Sequence, residues 1–156
     1  MNYIPEEQYN EIKKVLPVFR VDLVARMDGT VLLCKRLNEP LKGMWCFPGS
    51  RLQKNESMKD AVTRIAMSEL GISVSMVRVA GFYNLVLSTV HTPVLIVAVK
   101  PLSIEIRLDE QHSEYRFADK SMITKMALCT YVRDVIHETT GLLHISGKTY
   151  KEEKSR

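Results

Sequence analysis

The chain's 156 residues, 46% of them hydrophobic, are enough for one compact domain whose core needs neither disulfides nor a structural metal. A net charge of +4, from 22 basic and 18 acidic residues, is too mild to argue a nucleic-acid partner, and no apolar run approaches the roughly 18 residues a membrane span requires. Cys34, Cys46 and Cys129 are odd in number and far apart, without CxxC or Cys/His spacing, so the sequence supports neither a disulfide framework nor a zinc site and fits a reduced, cytoplasmic compartment.

Residues 6–16 carry Tyr9, Ile12 and Leu16 on one helix face, and Pro17 stops that helix. Two apolar, β-branched runs follow, 18–26 and 30–36, separated by Met27, Asp28 and Gly29; Asp-Gly is a tight-turn signal, so the pair reads as a hairpin. Loops at 40–43 and 48–53 flank a short apolar stretch, 44–47. A second helix is predicted from Ser57 as N-cap with Asp60 three residues on; Ala61, Val62, Ile65, Ala66 and Leu70 form its buried stripe and Gly71 its C-terminal stop. Strands are expected over 74–87, 93–102 and 114–118. A last helix is expected over about 122–139, capped by Asp119 or Ser121, with Gly141 beyond its end. Residues 1–147 then form a single domain, and 148–156 a charged C-terminal tail, the one candidate for disorder. A single helix between two groups of strands favours an α/β sandwich over a repeating βαβ winding.

Generic patterning ends at residues 48–72, PGSRLQKNESMKDAVTRIAMSELGI. This segment resembles the Nudix box, G-x5-E-x7-R-E-U-x-E-E-x-G-U with U a bulky aliphatic residue. Glu56, Arg64, Glu69, Gly71 and Ile72 match at the required spacing, led in by Pro48 and Gly49. Ser50, Ile65 and Ser68 stand where the pattern has a glycine and two glutamates. Spacings of three and four put positions 65, 68 and 69 on one helix face, where the family keeps a carboxylate cluster for one to three Mg²⁺ ions. Glu69 alone retains a carboxylate there, which leaves room for one Mg²⁺ and not for several. The resemblance also implies an ion pair between Glu56 and Arg64, and a Nudix-type α/β/α sandwich with a mixed β-sheet.

A second segment, LDEQHSEYRF at 108–117, narrows the resemblance. Within the Nudix superfamily, the GDP-mannose mannosyl hydrolases combine a degenerate box of this kind with a DEQH loop, a preceding KR-x-N-x-P segment and a W-x-x-PG loop. This chain has KRLNEP at 35–40, Trp45 to Gly49 in the W-x-x-PG pattern, RIAMSELG at 64–71 and DEQH at 109–112. By that resemblance Gly49 through its carbonyl, Gln111 and Glu69 hold one Mg²⁺, with Mn²⁺ as a substitute, and His112 is the general base. Arg36 and Arg51 are the candidates for the diphosphate, because a permanently charged guanidinium matches phosphate oxygens. Asp22 matches an aspartate that family members use near the sugar hydroxyls; from the residues alone it could equally pair with Arg20. Tyr9 sits where the family has an aromatic on its leading helix.

The implied reaction is hydrolysis of a nucleotide sugar, GDP-mannose or GDP-glucose, by attack of water at sugar C1, giving GDP and free hexose. The alternatives are a Nudix pyrophosphatase that cuts the P–O–P linkage and a nucleotide-sugar-binding domain without catalysis. The resemblance further implies a homodimer, while the charge and hydropathy of the chain imply no nucleic-acid or membrane partner.

Overall fold

A computed structural model describes residues 4–151. The elements run α1 (Glu6–Val15), β1 (Arg20–Met27), β2 (Thr30–Arg36), β3 (Trp45–Cys46), β4 (Gly49–Arg51), α2 (Met58–Ile65), a π-helical turn η1 (Ala66–Leu70), β5 (Val74–Val86), β6 (His91–Pro101), β7 (His112–Ala118), α3 (Lys120–Ile123), α4 (Val132–Glu138) and β8 (His144–Lys151). One mixed sheet carries the order β3-β2-β1-β6-β5-β8, with β4 added on β1 and β7 on β2. The β1/β6 and β5/β8 pairs are parallel and the others antiparallel, as in the expected α/β sandwich.

Strand alternation sorts the core into two layers. Val21, Leu23 and Ala25 of β1 join Leu32, Cys34, Val97 and Val99 beneath the α2 residues Val62 and Ile65. The opposite face, with Val24, Val31, Leu33, Val94 and Ile96, packs against Ile123, Tyr131, Val132 and Val135. The β1–β2 connection is the expected tight turn: Asp28 and Gly29 both have positive φ, 49° and 77°, and Met27 pairs with Thr30. Ser57 caps α2, accepting the Asp60 N–H at 3.1 Å, and Asp119 caps α3 by accepting the Met122 N–H at 2.9 Å.

Four expectations are corrected. The helix anticipated over 122–139 is divided into α3 and α4, because the segment between them is drawn into backbone pairing with β3: Trp45 N–H donates to Ala127 O, and Cys129 N–H to Trp45 O. That pairing brings Cys129 beside Cys46, and the two form a disulfide with Cα atoms 5.5 Å apart; 83 residues separate them in sequence, so no local spacing announces it. Of the cysteines only Cys34 is free, and it is buried. Third, residues 148–151 are no loose tail: they finish β8, paired alongside β5, and Tyr150 enters the core. Residues 152–156, and Met1 to Tyr3 at the other end, lie outside the described residues. Fourth, positions 65, 68 and 69 do not share a face. Ile65 is fully buried, Ser68 is exposed and Glu69 is buried, because the helix widens into η1 after Ile65.

Gly71 ends η1 at φ 64°, and its amide bonds back to Ala66 O and Met67 O. A Cβ there would lie 3.1 Å from the Arg107 Cβ and 3.3 Å from the Arg107 carbonyl oxygen. Gly71→Ala is therefore expected to lower stability by about 1–2 kcal/mol, read as a shift in the denaturant midpoint; an unchanged midpoint would contradict a required left-handed stop.

Candidate active site

The site lies where four chain segments are bonded to one another. β4 lies against β1, with Gly49 opposite Asp22. The Gly49 N–H donates to Glu69 Oε2 at 2.9 Å, which fastens that loop to the end of the helix. From η1, Leu70 O accepts the Arg107 N–H at 2.8 Å and Glu69 O the Asp109 N–H at 3.3 Å, so the DEQH loop is held against the same helix end. On its far side that loop joins β2: a register shift at Lys35 and Arg36 sets Arg36 opposite His112, and Leu37 N–H donates to Gln111 O at 2.8 Å.

A cavity of about 340 Å³ results, lined by Ile4, Glu6, Tyr9, Arg20, Arg36, Gly49, Ser50, Arg51, Gln111 and His112. Six of the residues singled out from sequence thus share one space: Tyr9, Arg36, Gly49, Arg51, Gln111 and His112. Ser50, in the place of the box glycine, is accommodated within β4 without a positive φ, so the substitution brings no backbone strain. The Arg51 guanidinium carbon stacks 4.3 Å from the centre of the Tyr9 ring. Arg36 Nε donates to the Pro40 carbonyl at 2.9 Å, which fixes the guanidinium without neutralising it. Burial first, and then the positive charge of Arg20, lower the proton affinity of Arg36 below the ordinary arginine range.

His112 is buried, its side chain 5% exposed, and its Nδ1 lies 2.7 Å from Asp109 Oδ1. Asp109 Oδ2 accepts the Gln111 side-chain N–H at 2.9 Å. One carboxylate thereby orients both the histidine and the glutamine, and its spacing of three before His112 was the available signal for that role. Burial lowers the His112 pKa, the Asp109 hydrogen bond opposes the shift, and Arg36 and Arg20 reinforce it. A carboxylate on Nδ1 favours the tautomer protonated there, which leaves a lone pair on Nε2.

Glu69 is 4% exposed, and burial pushes its pKa up to about 7 against the opposing charge of Arg20 and the Gly49 N–H. Among the described residues there is no cluster of three or more His, Cys, Asp and Glu side chains able to hold a metal. The donors that remain are oxygens: one Glu69 carboxylate, the Gly49 carbonyl and the Gln111 amide oxygen, whose nitrogen is occupied by Asp109. This set fits a single hard cation that completes its shell with water and substrate oxygens, and a buried carboxylate without a full countercharge is a fitting place for it.

Asp22 is placed differently from the cavity residues. It is fully buried, Arg20 Nε donates to its Oδ1 at 2.5 Å, and the Tyr131 hydroxyl donates to Oδ2. Of its two sequence readings, the pairing with Arg20 is the one the structure contains. Tyr131, from the chain before α4, has no motif that would have marked it.

A family model described as the NUDIX domain matches residues 17–130. The low-salt glycan biosynthesis protein Agl8 of Haloferax volcanii is 44% identical over 73 residues, 47% of this chain and 47% of that protein. The ADP-ribose pyrophosphatase of Methanocaldococcus jannaschii is 32% identical over 68 residues, 44% of this chain and 40% of that protein. The chain thus spans about half the length of the curated relatives it matches. Among solved structures, the MutT protein of Methanosarcina mazei Go1 superposes with a TM-score of 0.71 at 26% identity, covering 79% of this chain and 93% of that one. A MutT NUDIX hydrolase of Burkholderia pseudomallei does so with a TM-score of 0.68 at 22% identity, over 80% and 99% of the two chains, a likeness of fold alone.

The loop between β4 and α2 is braced by an ion pair that also titrates. Arg64 Nε donates to Glu56 Oε1 at 2.6 Å and Nη2 to Oε2 at 2.9 Å, while Nη2 also reaches the Arg51 carbonyl at 3.0 Å. The Arg64 hydrogen bonds hold the Glu56 carboxyl below the usual glutamate range. Glu56→Gln is expected to cost about 1–2 kcal/mol at pH 7. Because the folded-state pKa is depressed, that difference from wild type is full above the unfolded glutamate value of about 4.3 and fades as pH falls below it. Urea titrations of both proteins at pH 7 and pH 3 measure this, and a pH-independent difference would refute the linkage.

Proposed function

Because the chain belongs to the Nudix family, we propose that it hydrolyses a nucleotide sugar, GDP-mannose or GDP-glucose, at sugar C1, releasing GDP and free hexose. The observation that carries this reading is the Asp109–His112 hydrogen bond at the wall of the cavity. An ordinary Nudix box keeps its bases on the helix; here Ile65 is buried in the core and Ser68 is an exposed serine, while an enclosed histidine lines the cavity.

His112 Nε2 accepts a proton from water, the water oxygen bonds to C1 with inversion, and the C1–O bond breaks with its electron pair leaving on the nucleoside diphosphate. Asp109 keeps the ring oriented and stabilises the imidazolium that forms. Arg36 and Arg51 take up the negative charge of the departing diphosphate. Glu69, the Gly49 carbonyl and Gln111 would hold one Mg²⁺, or Mn²⁺ in its place, which supplies Lewis-acid neutralisation of the same leaving group. Tyr9, already stacked on Arg51, offers a ring edge or face to the base. The printed name of the Haloferax relative, a glycan biosynthesis protein, accords with a sugar nucleotide. Val15 and Leu16, exposed at the end of α1, are surfaces a second copy would cover in a homodimer. The cytoplasmic assignment loses its cysteine argument to the Cys46–Cys129 disulfide; no helix of the described residues is long and apolar enough to cross a membrane.

A second reading, cleavage of the P–O–P linkage, is favoured by the relative named as an ADP-ribose pyrophosphatase. Hydrolysis of GDP-mannose with Mg²⁺ in ¹⁸O-labelled water separates the two. Label on the sugar carbon is expected; label on phosphate would establish the pyrophosphatase, and binding without turnover a non-catalytic domain. His112→Gln should lower kcat by about 10²-fold or more with little change in nucleotide affinity, and wild-type turnover would remove it as the base. Asp109→Asn should lower kcat less than His112→Gln, with affinity again retained; a loss confined to KM would count against its orienting role.

A further inference from the structure

Arg20 is the cation that the reaction above leaves unused. It lines the cavity of His112 and also a neighbouring one that extends to the β5–β6 hairpin; Arg36 and Arg51 are the other arginines common to both. These three arginines therefore line both spaces. Only one edge of Arg20 is occupied: Nε donates to Asp22, and among the described residues Nη1 and Nη2 carry no hydrogen bond.

The other half of the arrangement is Asp22. Its two oxygens are taken by Arg20 and Tyr131, it is fully buried, and a Cβ on Gly49 would run into it. A carboxylate so enclosed has no free oxygen for a sugar hydroxyl. It can, however, hold a guanidinium by one edge and leave the other edge aimed outward. Among the described residues Arg36 has only a backbone carbonyl as its hydrogen-bond partner, so the two spaces gather three guanidiniums, one of them paired with Asp22, near the buried carboxylates of Asp22 and Glu69. Half-buried like charges at short range repel unless an anion joins them.

We propose that Arg20 is a third diphosphate-binding arginine, presented to the cavity by Asp22 and Tyr131, and that Asp22 acts through Arg20 and does not read the sugar. This rests on the reading of the cavity as a diphosphate site.

Inorganic pyrophosphate with Mg²⁺ is the probe, because it has neither base nor sugar and needs no turnover; calorimetric titration measures its affinity. The double variant Arg20→Gln with Asp22→Asn removes the pair without leaving a buried charge alone and without changing net charge. At least tenfold weaker pyrophosphate binding is expected. Binding within twofold of wild type, at an unchanged melting temperature, would show that the pair is structural only and would overturn the assignment. Should the double variant melt below the assay temperature, Arg20→Lys carries the test: it keeps the ion pair but loses the fork, and affinity at least threefold weaker is expected where wild-type affinity would overturn the proposal. A wild-type protein that fails to bind pyrophosphate brings down the diphosphate reading itself, a result distinct from equal binding by both proteins.

Discussion

Glu69 is a carboxylate almost out of contact with water, and its position is set by a backbone N–H from a different element, that of Gly49. Every other part of the site is fastened to one end of that bond. Gly49 brings β4 and, through the register with Asp22, the first strand. The helix end behind Glu69 receives the amides of Arg107 and Asp109, which locate the DEQH loop. Removing the N–H would leave a buried, unpaired acid, so the loop is held by the cost of its own absence. Gly49 is also the residue for which there is no substitute: a side chain there meets the Asp22 carboxylate and the Val21 carbonyl oxygen, 2.7 Å from an added Cβ.

Most of the fold was legible because its signals are local. The Asp-Gly turn, the Ser57 and Asp119 caps, the Gly71 stop and the alternation of β1 and β2 each follow from residues within a few positions of one another. What stayed hidden was decided at long range. β8 reads as polar tail because only Tyr150 of its strand is buried, and a strand that lies at the edge of β5 needs few apolar residues. The stretch between α3 and α4 has helical spacing in sequence, yet the backbone of Trp45 recruits it, and the same recruitment makes the Cys46–Cys129 contact. Tertiary pairing overrode propensity in both places.

The candidate site divides along the same line. Motif spacing assembles Tyr9, Arg36, Gly49, Arg51, Gln111 and His112 around one cavity, since each is held by the backbone of the element the motif predicts. The partners of Asp22 are not readable from its position, because the alternation of β1 turns it toward the layer that contains Tyr131, more than 100 residues away by sequence. No pattern in β1 alone distinguishes an aspartate facing substrate from one facing a buried tyrosine.

The two missing helix glutamates then acquire a structural meaning. A glutamate at Ile65 would be a carboxylate inside the layer formed with Val62, Leu70 and Ile72, and one at Ser68 would point into solvent because of the π-helical turn. Neither would rejoin Glu69. The substitutions are therefore coupled to the path of the helix, and a carboxylate cluster cannot be recovered by restoring residue types one at a time. With one helix carboxylate left, the buried histidine of the cavity wall is the one that Asp109 holds, on a loop tied to the same helix end.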